Sequence, residues 1–164
     1  MGVGKSTIAE QLSRHLFCRH IDLDKAVEVS EGLSVEQIFA LRGEPFFRDA
    51  EEKILNDIVT KNSEKVLVLS LGGGALISEK NRRILKDNAY CIYLRASVEN
   101  IISRLTHAKK TRPLIKDKSE EDLNIEIRRL FSVRESGYES SADYVLEMDK
   151  KTIHDILSEI LGVI

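Results

Sequence analysis

Tryptophan is absent from the sequence, and no apolar run approaches the ~18 residues that a membrane-spanning helix needs. The N-terminus also lacks the charged and then apolar pattern of a signal peptide. There is no basic excess, because 27 Asp and Glu outnumber 25 Lys and Arg, for a formal net charge of -2. The sequence therefore argues against a membrane protein and against a dedicated nucleic-acid binder.

Cysteine is also scarce, since Cys18 and Cys91 are the only two. Each lies in or beside an apolar run, which predicts buried, reduced thiols in a cytoplasmic protein. None of the four histidines has metal-ligand spacing to another. Because 164 residues with 32% charged and 42% hydrophobic side chains can bury a sizeable core, we expect a single domain over residues 1–164.

The most informative stretch is residues 1–7, which contain Gly-Lys-Ser, the second half of a phosphate-binding P-loop. Gly4 allows a phosphate to approach the backbone, Lys5 can reach phosphate oxygens, and the Ser6 hydroxyl suits Mg²⁺. The alternative is a solvated Gly-Lys-Ser start with a serine N-cap.

The complete P-loop pattern has an apolar strand and a further glycine ahead of Gly4, and both would fall before residue 1. We therefore expect the first strand to be missing from this chain, with a misassigned start codon as the preferred explanation and gene decay as another. A central strand buries several apolar side chains, so the chain as written is expected to be poorly stable and weakly active or inactive.

Helical and strand patterns alternate along the rest of the chain, which predicts a parallel α/β sheet. Strands are predicted at 20–24, 66–71, 90–94 and 144–146. Helices are predicted at 5–17, 25–31, 34–43, 44–62, 78–86, 97–107, 119–134 and 151–161. Ser34 and Gln37 have the spacing of a capping box. Ligands of such sheets bind at the carboxyl ends of the strands, so the P-loop, an acidic pair and a triple glycine should share one edge.

Asp22 and Asp24 form that acidic pair, two residues apart at a strand end, and would lie on the same side if the strand continued. One could hold Mg²⁺, and the other could orient or deprotonate a substrate hydroxyl. A solvated turn is the alternative. Residues 72–74 are three consecutive glycines after a buried strand, where backbone N–H groups could approach a ligand closely, or which could form a flexible loop.

Three arginines are candidates for anion recognition. Arg48 and Arg134 each lie on a predicted helix and could bind a carboxylate through two parallel hydrogen bonds, although a surface ion pair is the commoner role of a lone arginine. Arg112 precedes a proline in a basic stretch at 107–118, which could be a solvated loop or a lid that closes over the transferred phosphate.

Taken together, these residues resemble the shikimate kinase family. The matching pieces occur in family order over roughly residues 1–145 and include Gly4 to Thr7, Ile21 to Asp24, Ile38-Phe39, Gly43-Glu44, Phe47-Arg48 with Glu51, Gly72 to Gly74, Arg112 to Leu114, and Arg134 with Tyr138. The resemblance implies a nucleoside monophosphate kinase-like fold, normally with a five-stranded parallel sheet, substrate-binding helices at about 25–62 and the lid at 107–118.

The resemblance also implies an activity, which is transfer of the ATP γ-phosphoryl group to the 3-hydroxyl of shikimate in aromatic amino acid biosynthesis. The catalytic residues it implies are Lys5, Asp24 and Arg112. Those for the nucleotide are Gly2, Gly4, Lys5, Ser6, Thr7, Arg104 and Arg112. Those for shikimate are Asp24, Arg48, Gly72, Gly73, Gly74 and Arg134. Ser6 and Asp22 are implied for Mg²⁺.

Two other functions stay open from the sequence. The chain could be a related small-molecule kinase that acts on another hydroxylated acid such as gluconate, or a nucleotide-binding remnant without catalysis. For the leading interpretation we expect ATP and Mg²⁺ as cofactors, a small-molecule substrate, no nucleic-acid or membrane partner, and a cytoplasmic monomer.

Overall fold

A computed structural model describes residues 3–108 and 119–164 of the chain. It contains two compact units, one formed by Lys5–Cys91 and the other by Ile92–Ile164 together with Met1–Gly4. The single domain expected over the whole chain stays a prediction. No helix in the described part of the chain combines the length and the apolar character needed to span a membrane.

Helices and strands alternate over both units, as the sequence pattern predicts. The helices are α1 (Lys5–His15), α2 (Leu23–Glu31), α3 (Val35–Lys61), α4 (Glu79–Asn88), α5 (Val98–Ala108), α6 (Glu120–Ser141) and α7 (Ile153–Leu161). The strands are β1 (Arg19–Asp22), β2 (Leu67–Ser70), β3 (Ile92–Arg95) and β4 (Tyr144–Glu147).

The Lys5–Cys91 unit is built around the parallel pair β1 and β2, whose register places Asp22 beside Ser70. Both strands therefore end at the same edge, and the turns that follow them share that edge. The same unit contains two clusters of buried apolar residues. One contains Leu23, Leu55, Ala75 and Leu85, and the other contains Val27, Ile38, Phe47 and Ala50.

Helix α3 is interrupted at Gly43, whose backbone angles (φ 82°, ψ 168°) are not helical. Only glycine adopts this region readily, because a Cβ would clash with the backbone. Pro45 follows at the start of the second half, where its missing N–H costs no helical hydrogen bond. The capping box of Ser34 and Gln37 is present, so the sequence was a good guide to this region.

The second unit contains the parallel pair β3 and β4, with Arg95 beside Glu147 in register. The two side chains form an ion pair. The ends of the strands are also joined by Asp149, which accepts hydrogen bonds from the Ser97 backbone N–H, and by the Met148 N–H, which donates to the Arg95 carbonyl. Helices α5 and α6 pack against each other, and each has buried apolar residues, such as Ile101 on α5 and Ile127 on α6.

Several boundaries predicted from the sequence differ from the structure by about two residues or more, and two of these errors have a physical explanation. The first strand ends at Asp22 rather than Asp24, because the Asp22 side chain accepts a hydrogen bond from the Lys25 N–H and caps α2. Helix α6 continues beyond Arg134 to Ser141 through Gly137. A mid-helix glycine costs roughly 0.5–1 kcal/mol, and packing of the Tyr138 ring on the Tyr93 ring helps to offset it.

The four predicted strands are all present, but among the described residues they form two separate pairs rather than one sheet. Each pair is parallel, as expected. The expectation that the first strand of the fold is missing from this chain stays a prediction.

We predict that Gly43→Ala lowers the free energy of unfolding by about 1–3 kcal/mol, because alanine is strained at this φ and ψ. The added Cβ would lie 3.6 Å from Pro45 Cδ, an ordinary contact, so the cost comes from the backbone. Gly162→Ala is the matched control, since Gly162 has φ -84° and should tolerate alanine. Chemical denaturation measures both variants, and equal stability of the two would contradict the strain at Gly43.

Candidate functional site

The P-loop segment and the first acidic residue are in direct contact. Ser6 lies in the first turn of α1, and its Oγ donates a 2.8 Å hydrogen bond to Oδ2 of Asp22 at the end of β1. Lys5 begins the same helix, and Thr7 follows Ser6 with its side chain exposed. Gly4 precedes the helix with φ 89°. Ser6 and Asp22, the two residues predicted for Mg²⁺, therefore meet at the strand edge.

Asp22 is the centre of a hydrogen-bonded network. Its Oδ2 accepts from both Ser6 Oγ and Ser70 Oγ, and Ser70 in turn lies 3.0 Å from Nε2 of His20. Because the Ser70 hydroxyl proton is directed at Asp22, His20 Nε2 is the donor in that contact. Burial raises the pKa of Asp22, but the hydrogen bonds from Ser6, Ser70 and the Lys25 N–H outweigh it and hold the pKa below its ordinary value. Asp22 is therefore ionised at neutral pH.

Asp24 has the opposite environment, although it is only two residues away. It lies in the first turn of α2 and is half-buried. Burial raises the pKa of its carboxyl, the charge of Asp22 raises it further, and the cations Lys5 and Arg48 offset this only in part. Asp24 thus binds a proton more readily than an ordinary aspartate, as a group that accepts protons in a reaction must.

The triple glycine lies against the side chains of Asp24 and Arg48. A Cβ added at Gly72 would lie 2.4 Å from Oδ1 of Asp24, and a Cβ added at Gly74 would lie 2.4 Å from Nη2 of Arg48. Gly73 lies between them in the same turn. The glycines therefore allow the Asp24 carboxylate and the Arg48 guanidinium to lie against the backbone. This brings two of the three predicted substrate-binding side chains, those of Asp24 and Arg48, to the turn after β2.

Arg48 is held by two carboxylates on its own helix. Its Nη1 donates to Oε2 of the buried Glu51 at 2.8 Å, and its Nε and Nη2 donate to Oε1 of Glu44 at 3.2 and 3.0 Å. Burial lowers the pKa of Arg48, but Glu51 and Glu44 more than offset this and raise it. The guanidinium also lies over the Phe47 ring, with 5.1 Å from Cζ to the ring centroid. Arg48 is therefore positioned from several sides.

The oxygen donors of Ser6 and Asp22 fit a hard cation. Mg²⁺ prefers carboxylate and hydroxyl oxygens, and it commonly binds through one or two protein ligands together with water and phosphate oxygens. A protein cage is not required for such a site. Residues 3–108 and 119–164 contain no group of three His, Cys, Asp or Glu side chains that could hold a metal ion. This does not conflict with Mg²⁺ binding by Ser6 and Asp22, because such a site needs only one or two protein ligands.

Two predicted residues belong to the second unit. Arg104 on α5 donates a 3.1 Å hydrogen bond from Nη1 to the carbonyl of the buried Val3, and it therefore anchors the segment just before Gly4. Arg134 on α6 has a buried Nε that no group in the described part of the chain accepts from. A buried donor without an acceptor is costly, so this guanidinium is suited to an anionic ligand. Gly2 and Arg112 lie outside the described residues.

Sequence reasoning did not assign roles to Ser70, Glu51 or Glu44. The spacing of both glutamates to Arg48, three and four residues, is the signal that could have identified them, because side chains at those spacings meet on a helix. Ser70 could be linked to Asp22 only once the strand register was known.

Comparisons with known proteins agree on one family. The family model described as shikimate kinase matches residues 1–164. The chain is 37% identical over 164 residues to a shikimate kinase of Histophilus somni (strain 2336), with 100% of this chain and 90% of the relative covered. It is 34% identical over 163 residues to a shikimate kinase of Rhodopirellula baltica, covering 98% and 84%. A solved shikimate kinase from Acinetobacter baumannii in complex with shikimate superposes with a TM-score of 0.86 at 33% identity, covering 99% and 87%.

We predict that Asp24→Asn raises the free energy of unfolding at neutral pH by roughly 1 kcal/mol, because it removes a charge that burial and Asp22 disfavour. The folded-state pKa lies above the unfolded value, so the penalty is present at neutral pH. It disappears as the pH falls through the folded-state pKa toward the unfolded one. The advantage of the variant should therefore shrink in acid.

Chemical denaturation at several pH values measures this difference. Asp87→Asn is the control, since Asp87 is exposed on α4 and its replacement should change stability by at most about 0.5 kcal/mol. An Asp24→Asn variant that is less stable than the unsubstituted protein at neutral pH would show that Asp24 is a stabilising residue and that this account of its environment is wrong.

Proposed function

Because the chain belongs to the shikimate kinase family, we propose that it transfers the γ-phosphoryl group of ATP to the 3-hydroxyl of shikimate. The observation that carries this proposal is the meeting of Asp24 and Arg48 over Gly72 and Gly74, at the strand edge that also holds Ser6. A proton acceptor and a carboxylate-binding cation there suit a hydroxylated acid as the substrate.

In the proposed reaction the substrate hydroxyl oxygen forms a bond to the γ-phosphorus, and the bond from that phosphorus to the bridging oxygen of ADP breaks. The hydroxyl proton passes to the Asp24 carboxylate. The raised pKa of Asp24 supports this role, since a base of ordinary aspartate pKa would hold the proton less well. Little covalent chemistry is left to the protein, so positioning and charge are its main contributions.

The phosphate end of the site is assigned to residues 2–7. Backbone N–H groups at the start of α1 point toward a bound phosphate, and the Lys5 ammonium adds positive charge there. Ser6 and Asp22 would hold Mg²⁺, which when bound neutralises charge on the phosphates. The low pKa of Asp22 suits a ligand that must be ionised. Arg104 supports this end through its hydrogen bond to Val3.

The substrate end is assigned to the two arginines expected to bind the carboxylate. Arg48 presents a guanidinium that Glu51 fixes from one side, and Arg134 supplies the buried Nε described above. Each is always charged and can donate two parallel hydrogen bonds to a carboxylate. Arg112 is proposed as the lid arginine on the resemblance alone. A cytoplasmic monomer in aromatic amino acid biosynthesis is likewise part of the proposal.

An ADP-release assay with shikimate, gluconate or no acceptor tests the proposed function. We expect whatever turnover the chain supports to require shikimate as the acceptor, to give a shikimate 3-phosphate product identified by mass spectrometry and NMR, and to be lost when Mg²⁺ is chelated. Turnover with gluconate alone would favour the related-kinase alternative. Nucleotide binding without any turnover would favour the non-catalytic one.

We predict that Gly74→Ala lowers kcat/KM for shikimate by at least about 100-fold, since a 1 Å misplacement near the site can cost that much. Its Cβ would displace the Arg48 guanidinium and so weaken the pair of Arg48 with the buried Glu51. A thermal melt should therefore show a lower but still cooperative transition, and kcat/KM is compared at a temperature at which both proteins are folded.

The matched control is Gly162→Ala, a glycine distant in sequence from the predicted site residues, which should leave kcat/KM unchanged. A Gly74→Ala variant with unimpaired kcat/KM would mean that the close approach of Arg48 to the glycine turn has no part in catalysis.

A further inference from the structure

Glu44 occupies the part of Arg48 that a substrate carboxylate would need. The Nε and Nη2 atoms form the edge of a guanidinium that binds a carboxylate through two parallel hydrogen bonds. In this structure both atoms donate to one oxygen of Glu44, at 3.2 and 3.0 Å. Nη1 donates to Glu51 at 2.8 Å. A substrate carboxylate that binds the edge formed by Nε and Nη2 therefore has to replace Glu44.

The two glutamates differ in how easily they can leave. The Glu51 side chain is 1% exposed, so breaking its pair would leave a buried charge without compensation. The Glu44 side chain is 57% exposed, so its carboxylate can exchange Arg48 for water at little cost. Exchange is therefore expected at the Glu44 side, while Glu51 continues to hold Arg48 in place.

Charge and geometry both favour the exchange when an anionic substrate is present. With both glutamates bound to Arg48, the group of these three side chains has a net negative charge, which repels an anion. Once Glu44 turns to water, the pair of Arg48 and Glu51 is neutral and its outer edge is open. Glu44 offers a single oxygen to two donors, whereas an incoming carboxylate can offer one oxygen to each, and two such bonds are stronger than one shared acceptor.

The backbone allows Glu44 to move without disturbing Arg48. Gly43 interrupts α3, and Glu44 is the first residue after the break. A carboxylate at the start of a helix remains favoured by the helix dipole when its side chain turns outward. Displacement of Glu44 thus needs only a side-chain rotation and leaves the second half of α3 intact.

We propose that Glu44 is an internal competitor for the substrate carboxylate, which binds Arg48 in the substrate-free protein and is displaced when shikimate binds. Glu44 thereby sets the affinity for the acid. This inference rests on the proposed function, because it takes Arg48 as the carboxylate-binding group.

Glu44→Gln tests the proposal, because glutamine keeps the shape of the side chain and removes its charge. We expect KM for shikimate to fall about two- to fivefold, the range that replacing a partly exposed ion pair implies. The kcat and the KM for ATP should not change. Calorimetric titration with shikimate in the absence of ATP should show the same gain in affinity.

Glu79→Gln is the matched control, since Glu79 also begins a helix and pairs with an arginine four residues on, Arg83 at 2.5 Å. It should leave every constant unchanged. The uncharged methyl ester of shikimate is the second probe. The Glu44→Gln variant should bind the ester no more tightly than the unsubstituted protein does, because an ester does not form the charged pair with Arg48 for which Glu44 competes.

The outcomes separate this inference from the proposed function. Unchanged or higher KM for shikimate in Glu44→Gln, with an active unsubstituted protein, would overturn the competitor role and show instead that Glu44 supports Arg48. An equal gain for shikimate and its methyl ester would overturn it as well. An unsubstituted protein that binds shikimate without phosphorylating it would overturn the proposed activity alone, and one that does not bind shikimate would overturn both.

Discussion

The ion pair between Arg48 and the buried Glu51 is the contact on which the substrate end of this protein depends. Removing one partner of a buried pair costs about 3–5 kcal/mol, because the other charge is left without compensation. Glu51 therefore holds the guanidinium in place. Gly74, in the turn after β2, leaves room for the guanidinium because it has no Cβ. The Phe47 ring lies under the guanidinium and stabilises its positive charge.

A second constraint sets the phosphate end. The parallel register of β1 and β2 places Ser70 beside Asp22, and the start of α1 adds Ser6 to the same carboxylate oxygen. These hydrogen bonds lower the pKa of Asp22 and keep it ionised, whereas burial and the nearby charge of Asp22 raise the pKa of Asp24. Two aspartates two residues apart thus acquire different acidities, and different acidities allow one to hold a cation and the other to accept a proton.

Much of this arrangement could be predicted from sequence, because local signals determine it. The capping box at Ser34 and Gln37 and the break at Gly43 depend on neighbours within a few residues. Strand ends and glycines were likewise enough to place the acidic pair and the triple glycine at one edge. The end of β1 was misplaced because Asp22 suits both a strand end and a helix cap, and only the contact with the Lys25 N–H decides between them.

The roles of the glutamates around Arg48 could not be predicted in the same way. Their spacing shows that both can reach the arginine, but it does not show which of them is buried. That difference arises from tertiary packing, which leaves Glu51 buried and the Glu44 side chain 57% exposed. A buried carboxylate can only hold its partner, whereas an exposed one can be replaced by another anion. Tertiary packing therefore divides two chemically identical residues into a permanent support and an exchangeable ligand of the same arginine.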